Sequence, residues 1–526
     1  MFGLFFYCAI PNAFATVTLI SVDDSIQTAL NDATPGDIIE IAEGTYNEDI
    51  ATESRGSVDA PIVVRAAEGA AVIITSPGEV LRVDDPYWTF QDLIFDGQFG
   101  SNDTIDINDG ANHTLLQRVE VRRSGRDCID IGAPSGVTIE DSKIHQCLWF
   151  DDEEDERKDA HGVTGGAVTD LTIRNTVIHT FSGDAIQFDP GRWEPGWNNI
   201  HISGCQLWLE PLTVDLNGFL AGQVPGENAI DTKTWADGER ASLVVEDTEA
   251  WGFQNGLDFS TQAAFLIKEN VDAVFRRVVV HDSEIAFRLK GPTDTHPHGA
   301  TVTVENSLMY DVEVGVRFED NLEQLKLVFT TFGMGIDNAL VEVESDTTVP
   351  DIKNSLFVDM AIPSFATEAD GNIEAEPDDL EDADARDHHL VEGATAIDAG
   401  IFIEDIAEDL DGGQRFVGSA PDAGAYEFGQ DEEEDTGFGD LDDTGEIPEQ
   451  DSGTDTDTDI DTIDDLIDDE PPGPPGIGAA ESVGEKGGCG CSATPSTPRT
   501  WPWVLMLSWC MLRKRNRPRS APSLTP

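Results

Sequence analysis

Six short stretches carry the groups that could do chemistry, and they read in one register. They are Gly125-Arg-Asp-Cys-Ile-Asp-Ile131, Gly183-Asp-Ala-Ile-Gln-Phe188, Glu227-Asn-Ala-Ile-Asp-Thr-Lys233, Asn255-Gly-Leu-Asp-Phe259, Glu284-Ile-Ala-Phe-Arg-Leu-Lys290 and Glu313-Val-Gly-Val-Arg-Phe-Glu319. If each is a strand with its apolar residues inward, period-two alternation sends Asp130, Gln187, Asp231, Asp258, Arg288 and Arg317 to one outer face. Asp189, Lys233, Lys290 and Glu319 fall one step further along the same strands. Neighbouring strands lie about 4.8 Å apart, so such side chains would be direct neighbours, carboxylates at one end and cations at the other. A column of this kind can bind a charged ligand or move a proton; it is equally what a solvated salt-bridge ladder looks like.

The elements that must position this column are short strands in series. From residue 115 to 360 an alternating segment, a polar turn and a second short strand recur, as in Leu115-Leu-Gln-Arg-Val-Glu-Val121, Leu171-Thr-Ile-Arg-Asn-Thr-Val-Ile178 and Val302-Thr-Val-Glu-Asn-Ser-Leu308. Helical periodicity is nearly absent. Short strands with Asn, Asp and Gly at the turns suit a sandwich or a parallel β-helix, and the unequal repeat lengths favour the β-helix, where an insertion can leave the stack at a turn.

The 526-residue chain carries 31 Lys and Arg against 103 Asp and Glu, a net charge of −72. A direct grip on nucleic-acid phosphates or anionic lipid is therefore not expected. Residues 1–15 form a short apolar stretch ending Ala13-Phe14-Ala15 and read as a signal peptide. Residues 16–430 are the expected folded domain. Asp431 to Glu470 holds twenty acidic residues and no basic one, and residues 431–486 read as an extended, self-repelling linker. Residues 487–526 follow with Cys489 and Cys491, an apolar run from Trp501 to Leu512 and the basic cluster Arg513-Lys-Arg-Asn-Arg517. The domain itself has three cysteines, Cys128, Cys147 and Cys205, for which buried thiols with at most one bridge are expected.

Two resemblances extend this reading. Ile26 to Tyr46, with Pro35-Gly-Asp37 opening a strand and Gly44-Thr-Tyr46 closing it, and Ala60-Pro-Ile-Val-Val-Arg-Ala66 resemble the entrance of right-handed parallel β-helix proteins of the pectate-lyase superfamily. Ala396-Ile-Asp-Ala-Gly400, Asp409 to Arg415 and Asp422 to Phe428 resemble the closing segment of bacterial surface β-helix proteins. The likeness covers about residues 20 to 429 and implies an all-β, right-handed parallel β-helix with an N-terminal capping helix. The order Cys motif, apolar segment, basic stop resembles the MYXO-CTERM sorting signal, which implies export and display on the surface of a Gram-negative cell, with membrane contact only through that segment.

The superfamily includes lyases, hydrolases and non-catalytic adhesins, so the fold does not choose among them. Its uronate lyases neutralise the substrate carboxylate, often with calcium, and use Lys or Arg to take the adjacent proton. That resemblance implies Asp130, Asp231 and Asp258 as calcium ligands and Lys233, Arg288 or Lys290 as catalytic residues, with Gln187 and Arg317 on the substrate. Insertions would border the site: an acidic loop from Asp151 to His161, and residues 190–226 with Arg192, Trp193, Trp197 and Trp208, whose indoles suit stacking on sugar rings. Asn102-Asp-Thr104, Arg126-Asp-Cys-Ile129, Ala160-His-Gly162 and Phe287-Arg-Leu-Lys290 resemble, in order, the motifs of polygalacturonases, though Arg126 replaces one of the paired aspartates. A monomer acting on polysaccharide by calcium-assisted β-elimination is the leading expectation, a non-catalytic glycan-binding surface protein the alternative, and a hydrolase the third.

Overall fold

The computed structural model describes residues 16–429, apart from 152, 155, 192–193, 236–237, 258–260, 320 and 344–347. The signal peptide, acidic linker and sorting segment expected at the two ends lie outside the described residues. The chain winds into a parallel β-helix with three faces. A typical turn contributes Ile62–Ala66, Val72–Thr75 and Leu81–Val83, one strand per face, each paired in parallel with its equivalents in the turns before and after. The third face is a separate eleven-stranded sheet, running from Ile50–Ala51 to Asn338–Val343.

Period-two patterning builds this coil. Residues of one parity point inward and stack on themselves: Leu81, Ile105, Ile129, Val163, Ile186, Ile230, Phe265, Phe287 and Val316 are register partners in that order, all buried. Burying one such side chain contributes roughly 1.5–3 kcal/mol. The corner between the first and second faces requires one residue at positive φ per turn, and Asp92, Arg118, Asp141, Asn175, Gly204, Asp247, Arg277, Asn306 and Asn354 supply it. Asn, Asp and Gly tolerate that region best, and the side chains stacked there bond between turns, as Arg118 does to Asp92 at 2.7 Å and Arg277 to Asp247 at 2.6 Å. The polar turns read in the sequence are this corner.

Helix Ile26–Asp32 covers the open end of the stack with Ile26 and Leu30 buried; Ser25 caps it, accepting from the Thr28 amide. At the far end the chain turns back along the coil, tied by Arg386 to Asp282 and by buried Arg415 to Asn306 and the carbonyls of Gly424 and Ala425. Cys128 and Cys147 form the one disulfide among the described residues, and Cys205 is a buried free thiol, as expected.

Candidate functional site

The outward column of the third face is real, and longer than the sequence suggested. Its register partners, in order, are Ala51, Arg82, Asp106, Asp130, Thr164, Gln187, Asp231, Leu266, Arg288, Arg317 and Val341. Five of the six expected members are there. In the remaining turn the strand is Ala263–Ile267 and Leu266 takes the column position; Asp258 lies outside the described residues. The register slipped because Asn255-Gly-Leu-Asp-Phe259 mimics the apolar-polar pattern of a strand, while the true strand, Ala-Ala-Phe-Leu-Ile, hides its outward position behind a leucine. The Val163–Gly165 turn was also passed over, which places Thr164 between Asp130 and Gln187.

These placements dissolve the expected calcium trio. Asp130 and Asp231 stand three turns apart, on the order of 14 Å, whereas calcium needs six to eight oxygens at 2.3–2.6 Å. Among the described residues no three carboxylate, thiol or imidazole groups converge so as to hold a metal ion. Asp231 is buried and bonded instead to Lys268 at 2.7 Å, its other oxygen without a partner. Burial, with Asp184 nearby, pushes its pKa up to about 6.

The expected catalytic cations are mostly committed elsewhere. Lys233 Nζ donates to Asp189 at 3.0 Å and to Gln187 Oε1 at 3.1 Å. Burial works against its charge, but the Asp189 bond and charge outweigh that and hold its pKa above the ordinary lysine value, the wrong direction for a base. Lys290 is paired with Glu319. Gln187 is buried, its amide N–H donating to Asp184 at 2.7 Å and its Oε1 accepting from Lys233. Trp197 is buried rather than exposed: its indole N–H donates to the Lys233 carbonyl at 2.6 Å and its ring packs on Phe188 at 4.7 Å. It props the Lys233 turn and offers no face to a sugar. Arg192 and Trp193 lie outside the described residues. Trp208 belongs to a file on the second face, His145, His179, Trp208, Trp251, His281 and Tyr310, whose ring centroids are 4.5–5.6 Å apart. Each interior ring covers its neighbour's face.

The best-formed constellation lies at the other end of the third face. Arg82, Asp106 and Asp130 occupy three consecutive turns, and Arg82 lines a cavity of about 480 Å³ with Gln27, Asp49, Glu53, Glu79 and Asn102. Burial and the adjacent Asp130 push Asp106 up to about 7; burial and Asp127 push Asp103 up to about 6. Burial also raises Asp130, despite a 2.6 Å bond from the Thr164 hydroxyl. Arg82 stays charged, bonded to Asp84 at 2.9 Å. Arg82, Asp106, Thr164 and Lys268 escaped the sequence reading, yet Leu81-Arg-Val83 and Ile105-Asp-Ile107 repeat the triplet Ile129-Asp-Ile131. Carrying the register two turns toward the N-terminus would have found the first two.

The polygalacturonase-like residues Asp103, Asp127 and His161 form the next column, where side chains cap the amide one turn on. Asp103 accepts from the Asp127 N–H at 3.1 Å and Asp127 from that of His161 at 2.8 Å, with Asp184 and Asn228 continuing the pattern. His161 is buried, its Nδ1 2.8 Å from Asp127. These residues serve the ladder first.

Comparison with known proteins follows this geometry. No family model matches the chain. The chain is 25% identical over 251 residues to pectate lyase PEL9 of Emericella nidulans, a match covering 43% of this chain and 52% of that protein, so the chain spans about half the length of the curated relative it matches. Among solved structures, pectate lyase Pel9A aligns with 79% of this chain and 97% of its own at 14% identity and a TM-score of 0.42. The alginate lyase from Paenibacillus sp. str. FPU-7 aligns with 64% and 99% at 17% identity and 0.37, and the polygalacturonase from Erwinia carotovora ssp. carotovora with 65% and 96% at 14% identity and 0.40. The fold is a parallel β-helix. That statement covers the architecture; the reaction is a separate matter.

Proposed function

We propose that this pectate-lyase-like β-helix acts outside the cell on a uronate polysaccharide, cleaving it by β-elimination at the Arg82, Asp106 and Asp130 turns. The observation that carries the reading is the consecutive placement of a cation and two carboxyl groups in one outward column, the cation lining a cavity and one carboxyl titrating near neutrality. Arg82 faces the substrate carboxylate and spreads its charge. Asp130, as carboxylate, takes the proton from the adjacent carbon; the released electron pair forms the new C=C bond as the glycosidic C–O bond breaks. Asp106, as carboxylic acid, returns a proton to the departing oxygen. General acid–base groups of this kind contribute typically 10²–10⁴-fold each. The reaction is written without calcium, because Asp130 and Asp231, expected to share the ion, stand three turns apart.

The named activity of the Emericella nidulans relative supports this reading, as does the Cys128–Cys147 disulfide, which suits an oxidising compartment. Export through residues 1–15 and surface display through 487–526 belong to the same proposal. The test incubates the purified protein with pectate, alginate, chondroitin and neutral glycans, with and without calcium, and follows the absorbance of unsaturated uronates together with new reducing ends. Rising absorbance lost in Asp106→Asn and Asp130→Asn supports elimination. Reducing ends without absorbance mean hydrolysis, and retention without products means a binding protein; either sinks the proposed reaction.

A further inference from the structure

The third face holds two arginines that form no ion pair among the described residues. Every other cation of its described outward positions is ion-paired: Arg82 with Asp84, Lys233 with Asp189, Lys268 with Asp231 and Lys290 with Glu319. Arg288 and Arg317, direct register partners on adjacent turns and both half-buried, have no ion pair among the described residues. Of the acids nearby, Glu319 is paired with Lys290, Glu284 accepts from the Gln262 amide at 3.0 Å, and Glu313 is exposed; none is within ion-pair distance of either arginine. Arg288 is nonetheless fixed: its Nη1 donates to the Thr261 carbonyl at 3.1 Å and hydroxyl at 3.0 Å, while Nε is buried with no partner.

Two guanidinium groups on strands about 4.8 Å apart, one aimed by its neighbours, repel each other until an oxyanion lies between them. In a chain of net charge −72, leaving them bare is an arrangement that a bound anion completes. We propose that Arg288 and Arg317 form an oxyanion subsite for one carboxylate or sulfate ester of a polysaccharide, five turns along the groove from Asp130. That separation is on the order of 24 Å, so the subsite acts several sugar units from the cleavage point and sets the register of the polymer. Arg288 thus moves from the base expected in the sequence to a positioning role. The inference rests on the reading of the groove as a polysaccharide site, but not on the reaction assigned to it.

Binding is therefore measured with Asp106→Asn as the background, where cleavage cannot interfere, by calorimetry against polygalacturonate, chondroitin sulfate, dextran sulfate and neutral dextran. Arg288→Gln and Arg317→Gln should each weaken binding of an anionic polymer by at least tenfold, while Arg317→Lys retains most of it. Loss confined to polygalacturonate assigns a carboxylate; loss confined to the sulfated polymers assigns a sulfate ester. Unchanged affinity in the double glutamine variant, with an unchanged melting curve, overturns the subsite, as does an equal loss on neutral dextran. If no polymer is cleaved by the unmodified protein yet the arginine variants lose anion binding, the lyase reading fails and the subsite stands.

Discussion

Asp106→Asn should make the protein more stable at pH 8 while making it a worse enzyme. The Asp106 carboxyl titrates near 7 in the folded chain, raised first by burial and then by Asp130, against an ordinary value near 3.8. A carboxyl whose pKa is raised on folding contributes stability below the unfolded value and loses it as pH climbs through the folded one. Between about pH 4 and pH 7 the unfolded chain releases this proton while the folded chain keeps it, and above pH 7 the folded state carries the full cost of a confined charge. Three powers of ten in proton affinity correspond to about 4 kcal/mol. Asp106 is partly exposed, and solvent screening reduces this to roughly 2 kcal/mol. Asparagine keeps the shape and removes the charge. Urea unfolding followed by tryptophan fluorescence should therefore show the variant close to the parent at pH 4 and about 2 kcal/mol more stable at pH 8. A difference that stays constant across this range, or a variant less stable at pH 8, would refute the assignment of a confined, near-neutral carboxyl. The same substitution should lower turnover by roughly 10²–10⁴-fold if Asp106 supplies the leaving-group proton.

Other outcomes follow from the same coordinates. Lys233→Ala should lower the cleavage rate far less than Asp130→Asn, because Lys233 is held protonated by Asp189; comparing kcat for the two variants checks this. Replacing Cys128 and Cys147 by alanine, which opens a loop of sequence separation 19, should cost about 3 kcal/mol in urea. Gly252→Ala should be strongly destabilising, visible as a lowered Tm, since a Cβ there would lie 1.8 Å from the Leu209 carbonyl oxygen at a φ of +82°.

The coil was legible because its physics is local and repeated. An inward Ile or Val every second residue, and in most turns an Asp, Asn or Gly at a corner requiring positive φ, leave a repeated trace, as in Thr172–Arg174, Asn175 and Val177–Phe181. The site was less legible, because membership of an outward column depends on which turns intervene. Leu266 and Thr164 carry no charge, so nothing marked their turns, and two carboxylates expected to share an ion ended three turns apart. Trp197 shows the other limit: an indole in a long insertion looks like a sugar platform, and only the coordinates show its N–H spent on the Lys233 carbonyl.

The net charge of −72 argues against an anionic polymer only if that charge is felt evenly along the groove. It is not. Asp106 holds its proton up to about pH 7 and Asp103 up to about 6, so part of the acidic end is neutral below about pH 6. The two arginines lie on the order of 24 Å from Asp130, about three Debye lengths at physiological ionic strength, so the exposed charge at one end is largely screened from the other. An acidic polymer can then be held at the arginine end and delivered to partly protonated carboxyls. Added salt should weaken its binding at the cations, Arg82 included, leaving the salt dependence of affinity the same in the parent and in Asp106→Asn and shallower in Arg317→Gln. If Asp106→Asn instead flattened that dependence at pH 8, the two ends would be electrostatically coupled and this account of how so acidic a protein receives an acidic polymer would be wrong.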